Sequence, residues 1–134
     1  MGPAGGGKSG PHQVAGRPWV LIECFAGVMV MSLATESLGL QVTATFFSEV
    51  AEHACLVACT QFPCAIQLGE ISGFSELQIR SICDAHPEAD FLLGGGVPHC
   101  KAHCMREEFG RVCQTVLGIV GIRRLRAVME CKEM

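Results

Sequence analysis

The stretch VLIECFAGVMVMSL, from Val20 to Leu33, constrains the fold more than any other part of this chain. Three apolar, strand-forming residues (Val20, Leu21, Ile22) lead into an acidic one, Glu23. The chain then turns through Phe25, Ala26 and Gly27, and the spacing of Val30, Leu33, Ala34 and Leu38 predicts a helix with these residues on one face. Gly39 stands where a helix end favours a residue tolerant of positive φ. Strand, glycine turn and helix form the opening half of a nucleotide-binding βα unit. The turn lets backbone N–H groups approach a ligand, and the helix N-terminus favours polar or anionic groups.

The same alternation continues downstream. Gln41–Ser48 reads as a second strand, rich in β-branched and aromatic residues, with Glu49 at its end. Val50–Phe62 reads as a helix closed by Pro63, and Ala65–Leu68 as a short third strand entering Gly69, Glu70 and Ile71. Ser75 and Gln78 have the spacing of a capping box for a helix that continues to Ala85. Ala89–Leu93 is a continuous apolar strand running into a loop at Gly94–Pro98. Four strands alternating with three helices predict an α/β fold with a partial doubly wound parallel sheet of order 3-2-1-4. Ligands bind such sheets at the C-terminal ends of the strands, which is where Gly27, Glu49, Glu70 and Gly94–Pro98 fall. A carboxylate ending the second strand suits ribose hydroxyls, and one ending the third could accept from an adenine amino group. The alternative for either residue is an exposed carboxylate at a strand–loop junction.

Composition sets the class. The chain has 134 residues, 49% hydrophobic and 17% charged, as a single folded domain requires. No apolar run reaches the roughly 20 residues of a membrane span. The nine cysteines, with no signal-peptide pattern, predict reduced thiols in the cytoplasm or nucleus. Residues 19–98 hold nine acids against Arg80 alone, whereas residues 99–134 hold seven Lys or Arg against four Glu. Such an acidic body is a poor footprint for nucleic acid, so phosphate contacts would fall to Arg123, Arg124 and Arg126 or to elements absent here. Residues 1–18 read as a disordered Gly/Pro-rich arm. Gly2–Ser9 matches the phosphate-loop pattern G-x-x-x-x-G-K-S, but no strand precedes it and Gly10-Pro11 blocks a following helix. It is a coincidence of composition.

From Val20 to Pro98 the chain resembles the cofactor half of a DNA cytosine-5 methyltransferase, nearest the de novo eukaryotic class. Phe25-Ala26-Gly27 is similar to that family's first motif, Phe47-Ser48-Glu49-Val50 to its second, Gly69-Glu70-Ile71 to its third and Leu93–Pro98 to its fourth. The resemblance implies a Rossmann-like class I methyltransferase fold, S-adenosylmethionine as cofactor and methyl transfer to carbon 5 of cytosine in DNA. It implies that Phe25, Ala26 and Gly27 line the methionine and ribose side and that Glu49, with Val50, holds the ribose hydroxyls. It further implies that Glu70 and Ile71 meet the adenine and that Gly94 and Pro98 of the fourth motif complete the cofactor-binding set.

Departures accompany the resemblance. Met29 stands where the first motif's second glycine is expected, and His99 follows Pro98 where the nucleophilic cysteine belongs. Cys100, one residue later, is the displaced candidate. From Lys101 onward no later family motif is found, and residues 99–134 read as a different, helical C-terminus joined at the catalytic loop, with Phe109, Val112, Val116, Ile119 and Val120 on one face. His99, Cys100, His103 and Cys104 are zinc-type ligands, but no second pair stands at a zinc-finger spacing, so no metal is assigned. The expectation is a methyltransferase fragment inactive by itself. The alternative is a catalytically dead methyltransferase-like module that docks to a catalytic methyltransferase partner.

Overall fold

The computed structural model describes residues 16–24, 29–98 and 102–132. Five strands form one sheet: β1 (Trp19–Glu23), β2 (Val42–Phe47), β3 (Ile66–Gln67), β4 (Asp90–Pro98) and β5 (Leu125–Lys132). Every pairing is parallel and the order is β3-β2-β1-β4-β5. Four helices connect them: α1 (Val30–Ser37), α2 (Glu52–Gln61), α3 (Glu76–Ala85) and α4 (Ala102–Val120). This is an α/β, Rossmann-like arrangement, and the order predicted for the first four strands is the order found. The fifth strand was not predicted. No helix among the described residues is long and apolar enough to cross a membrane.

Alternation along the strands divides the interior between the two faces of the sheet. Val20, Ile22 and Cys24 of the β1 segment, Phe46 of β2 and Phe91 and Leu93 of β4 belong to the main core. Helix α3 adds Ile79, Ile82 and Cys83 there, and α4 adds Phe109, Val112 and Val116. Phe47, the next residue along β2, joins a smaller cluster with Met29 and with Ala58 of α2. Burial of each large apolar side chain contributes about 1.5–3 kcal/mol, so the α3/α4 face carries most of the stabilisation.

Two helix ends follow local rules. Ser75 Oγ accepts from the Gln78 N–H at 3.0 Å, capping α3 as its spacing predicts. Gly39 has φ +74° and follows α1 in a Schellman turn, with the Leu40 N–H on the Thr35 carbonyl and the Gly39 N–H on that of Glu36.

Three expectations are corrected. The face α1 buries is not the Leu33–Ala34–Leu38 face: Ser32 and Thr35 are buried, while Leu33 and Leu38 are exposed. Gly94–Pro98 is not a loop but the second half of β4, paired residue by residue with β5 from Gly94↔Val128 to Pro98↔Lys132. Residues 99–134 contribute a strand as well as the helix, because Leu125–Lys132 finds an open edge on β4 to pair with.

Candidate functional site at the carboxyl end of the sheet

Order β3-β2-β1-β4-β5 places the topological switch between β1 and β4, where successive connections depart in opposite directions. Glu23 ends β1 at this switch and is only 2% exposed. Its Oε1 accepts from the Met31 N–H at 2.8 Å. Its Oε2 accepts from the Ser32 N–H at 3.2 Å and the Ser32 hydroxyl at 2.7 Å. A strand-end carboxylate therefore satisfies the first-turn amides of α1, groups that a helix leaves without intrahelical partners. Burial pushes this carboxyl above its ordinary value near 4.5, against the lowering effect of the three hydrogen bonds. This clamp also explains why α1 turns Ser32 inward and Leu33 outward.

Met29 leads into α1 with φ +66° and ψ +47°, the one left-handed non-glycine among the described residues. That conformation costs an L-residue roughly 1–2 kcal/mol. It is retained because the Met29 side chain is fully buried against Phe47 and Ala58. Position 29 is where the resemblance leads one to expect glycine, so the backbone keeps a glycine conformation that the side chain does not favour.

Beyond β2, the buried Ser48 donates its hydroxyl to the Gly69 carbonyl at 2.8 Å, tying the ends of β2 and β3 together. Glu49 follows, and its Oε2 accepts from the Val50 and Ala51 N–H groups at 3.1 and 3.0 Å. These amides orient the carboxylate over the start of α2. Gln67 donates to the Glu49 carbonyl at 3.0 Å from the neighbouring strand. Val50 itself is exposed.

Glu70 is exposed and its Oε1 accepts from the Ser72 hydroxyl at 2.6 Å. Ile71, expected beside adenine, is instead 4% exposed and packed in the main core. The reason lies in α4. Arg111 donates to the Ile71 carbonyl at 2.9 Å and the Phe74 carbonyl at 2.7 Å, drawing the short 3-10 turn Ile71–Gly73 down onto the helix. Glu70 remains at the strand end, and Ile71 is withdrawn from it.

Gly94 and Pro98 lie within β4, with Gly94 opposite Glu23 of β1. Phe25, Ala26, Gly27, His99 and Cys100 lie outside the described residues, as do the phosphate-loop-like residues Gly2–Ser9 and the side chains of His103 and Cys104. The structure thus brings Glu23, Ser48, Glu49 and Glu70 to one end of the sheet. An open pocket of about 250 Å³ lies further back, between α1 and β2, lined by Ser32, Thr35, Glu36 and Phe62 among others. Arg124 does not present its guanidinium to phosphate: it donates to the His86 and Ala89 carbonyls and lies over the Phe91 ring.

Sequence reasoning missed Glu23, Ser32 and Arg111 as site-shaping residues. Glu23 was visible at a strand end, but a carboxylate reaching a serine nine residues onward matches no local capping spacing. Arg111 signals nothing locally, since its acceptors are about forty residues away. Among the thiols, Cys24 is pushed up to about 12, chiefly by burial, and Cys83 and Cys113 to about 11 for the same reason. None of the three is a nucleophile at neutral pH.

Replacing Glu23 by alanine is expected to destabilise the fold by about 1–3 kcal/mol, because the Met31 and Ser32 donors lose their acceptor. The folded-state pKa of Glu23 is raised, so the proton-linked part of its contribution is complete below the unfolded value near 4.5 and is lost as pH rises through the folded value. The gap between wild type and Glu23→Ala should therefore be widest in acid and narrow as pH rises through the folded value. Urea titrations at several pH values measure it; a gap that widens with pH would contradict the assignment.

No protein-family model and no curated protein matches the chain.

Proposed function

We propose that this chain is an S-adenosylmethionine-binding domain of the DNA cytosine-5 methyltransferase type, and that by itself it does not transfer methyl groups. The observation that carries the reading is the pair of carboxylates following adjacent strands, Glu23 beside the switch point and Glu49 beyond the neighbouring β2. Glu23 holds the first turn of α1, and Glu49 is oriented by two backbone amides at the end of β2. That is the placement a nucleoside diol needs. The left-handed backbone at Met29, where the resembling motif carries glycine, supports the same reading.

The residues fit the cofactor unevenly. Glu49 would hold the ribose hydroxyls, and Glu70 would meet the adenine edge. Ile71 is not, because it is committed to the core. When bound, S-adenosylmethionine would supply an activated methyl group; this chain's part is to bind and orient it. Weak binding follows from the missing adenine contact and the bulkier turn at Met29.

The displacement of Cys100 by His99 favours the second reading as well, a catalytically dead module that docks to a catalytic methyltransferase. DNA contact would then be made largely by that partner, and a nuclear setting is the natural one for either role.

Calorimetry with S-adenosylmethionine and its demethylated product tests the site. Wild type should bind weakly and Glu49→Ala at least about ten-fold more weakly, the loss of a charge-assisted pair of hydrogen bonds. Equal binding by the two proteins would remove Glu49 from the site.

A further inference from the structure

We propose that Gln67 is a positioning residue of the cofactor site, fixing the backbone of Glu49 against that of Gly69 and so setting how the ribose hydroxyls are held. The inference rests on the reading of Glu49 as the ribose carboxylate. Parallel pairing sets Gln67 of β3 beside Phe47 of β2, whose side chain packs against Ala58 of α2. Gln67 therefore stands on the α2 side of the sheet, where an apolar side chain would ordinarily pack. Being polar, it finds partners there instead. Its amide donates to the Glu49 carbonyl at 3.0 Å and to Cys55 Sγ at 2.9 Å. Its Oε1 accepts from the Gly69 N–H at 3.3 Å. Both the donor and the acceptor ends of the amide are thus engaged, on a residue exposed at the edge of the sheet.

Its partners belong to the two segments that carry the proposed ligand contacts. The Glu49 carbonyl also accepts from the Cys55 thiol at 3.3 Å, so this residue is held from β3 and from α2 at once. Its carboxylate is turned by the Val50 and Ala51 amides. On the other side, Gly69 gives its N–H to Gln67 and its carbonyl to the Ser48 hydroxyl, immediately before Glu70. Ser48, Gly69, Gln67 and Glu49 therefore close a ring of contacts across the ends of β2 and β3. Immobilising a glutamine costs more rotamer freedom than most side chains, and hydrogen bonds at an exposed edge contribute little net stability. What the ring secures is geometry. A carboxylate that must meet two hydroxyls together loses one of them when its backbone shifts, and Gln67 opposes that shift.

NMR titration with the demethylated product of S-adenosylmethionine, on single and double variants, separates this role from a structural one. Gln67→Ala should weaken binding about five-fold, while its thermal midpoint stays within about 2 °C of wild type because the residue is exposed. Gln67→Met keeps the length of the side chain without its hydrogen bonds, and should weaken binding as much as alanine does. In a Glu49→Ala background the further change Gln67→Ala should cost less than about two-fold, because a residue acting through Glu49 has nothing left to position. An equal loss in both backgrounds overturns the proposal. So does a lowered midpoint with unchanged affinity, the pattern of a purely structural residue. Should Gln67→Ala fail to fold, Gln67→Met decides by the same criteria. Binding that falls in Glu49→Ala but not in either Gln67 variant overturns this inference alone. No binding by wild type, or equal binding by Glu49→Ala, overturns the reading of the site and this inference with it.

Discussion

Gly95→Val is expected to leave little folded protein at 25 °C. Gly95 lies inside β4, paired with Met129 of β5, immediately after the residue that faces the end of β1. The Cys24 N–H donates to the Gly94 carbonyl at 2.7 Å, which draws the chain leaving β1 across β4. A Cβ added at Gly95 would run into the Cys24 carbonyl oxygen and press on its carbon and side chain. That obstacle is main chain leaving the end of β1 and tied to β4 by the Cys24–Gly94 hydrogen bond, so it cannot rotate away as a flexible side chain would. Overpacking a core position costs about 1–3 kcal/mol, and a rigid backbone neighbour places this site at or above the upper end. Against a total stability of about 5–15 kcal/mol, with one strand pairing also disturbed, valine should lower the urea midpoint severely or abolish the transition.

Gly110 and Gly118 supply the control. Both lie in α4 with open space where a Cβ would go. Gly110→Ala should stabilise by about 0.5–1 kcal/mol through helix propensity alone. If Gly95→Val unfolded at the wild-type midpoint, the close approach of the β1 end to β4 would be wrong.

No methyl transfer to DNA is expected from this chain alone, and the absence should be complete rather than partial. By the resemblance, the reaction adds a cysteine thiolate reversibly to carbon 6 of a flipped cytosine, then eliminates it after methylation. His99 occupies the position after Pro98 that the nucleophile would hold, and imidazole does not add and leave in this way. Cys100 is one residue beyond. A nucleophile misplaced by about 1 Å can cost on the order of 100-fold, and a one-residue offset along a chain is larger than that. The acidic body adds to the difficulty, since nine acids against one arginine in residues 19–98 repel the phosphate backbone. Incubating the purified chain with labelled S-adenosylmethionine and cytosine-containing DNA measures this directly. Steady incorporation that disappears in Cys100→Ser would show that Cys100 serves as the nucleophile after all.

Local rules carried the sequence a long way. Four strands and their order, the Ser75 cap, the Gly39 turn and the acidic strand ends were legible because each depends on residue type and spacing within a few positions. Only the tertiary structure decided which face of α1 turns inward, because that depends on Glu23 reaching Ser32 nine residues onward. It decided that Ile71 belongs to the core, because Arg111 pulls its carbonyl from about forty residues away. Met29 kept a left-handed backbone because burial against Phe47 and Ala58 offset the strain, a balance that local propensity argues against. Gly94–Pro98 became strand, and Leu125–Lys132 became strand, for one shared reason. Each completes the other's backbone hydrogen bonds. Neither segment shows strong strand character by itself, one being glycine-rich and the other interleaved with charges. A pairing between residues more than thirty positions apart leaves no periodic mark in the sequence; it exists only once the sheet presents an edge.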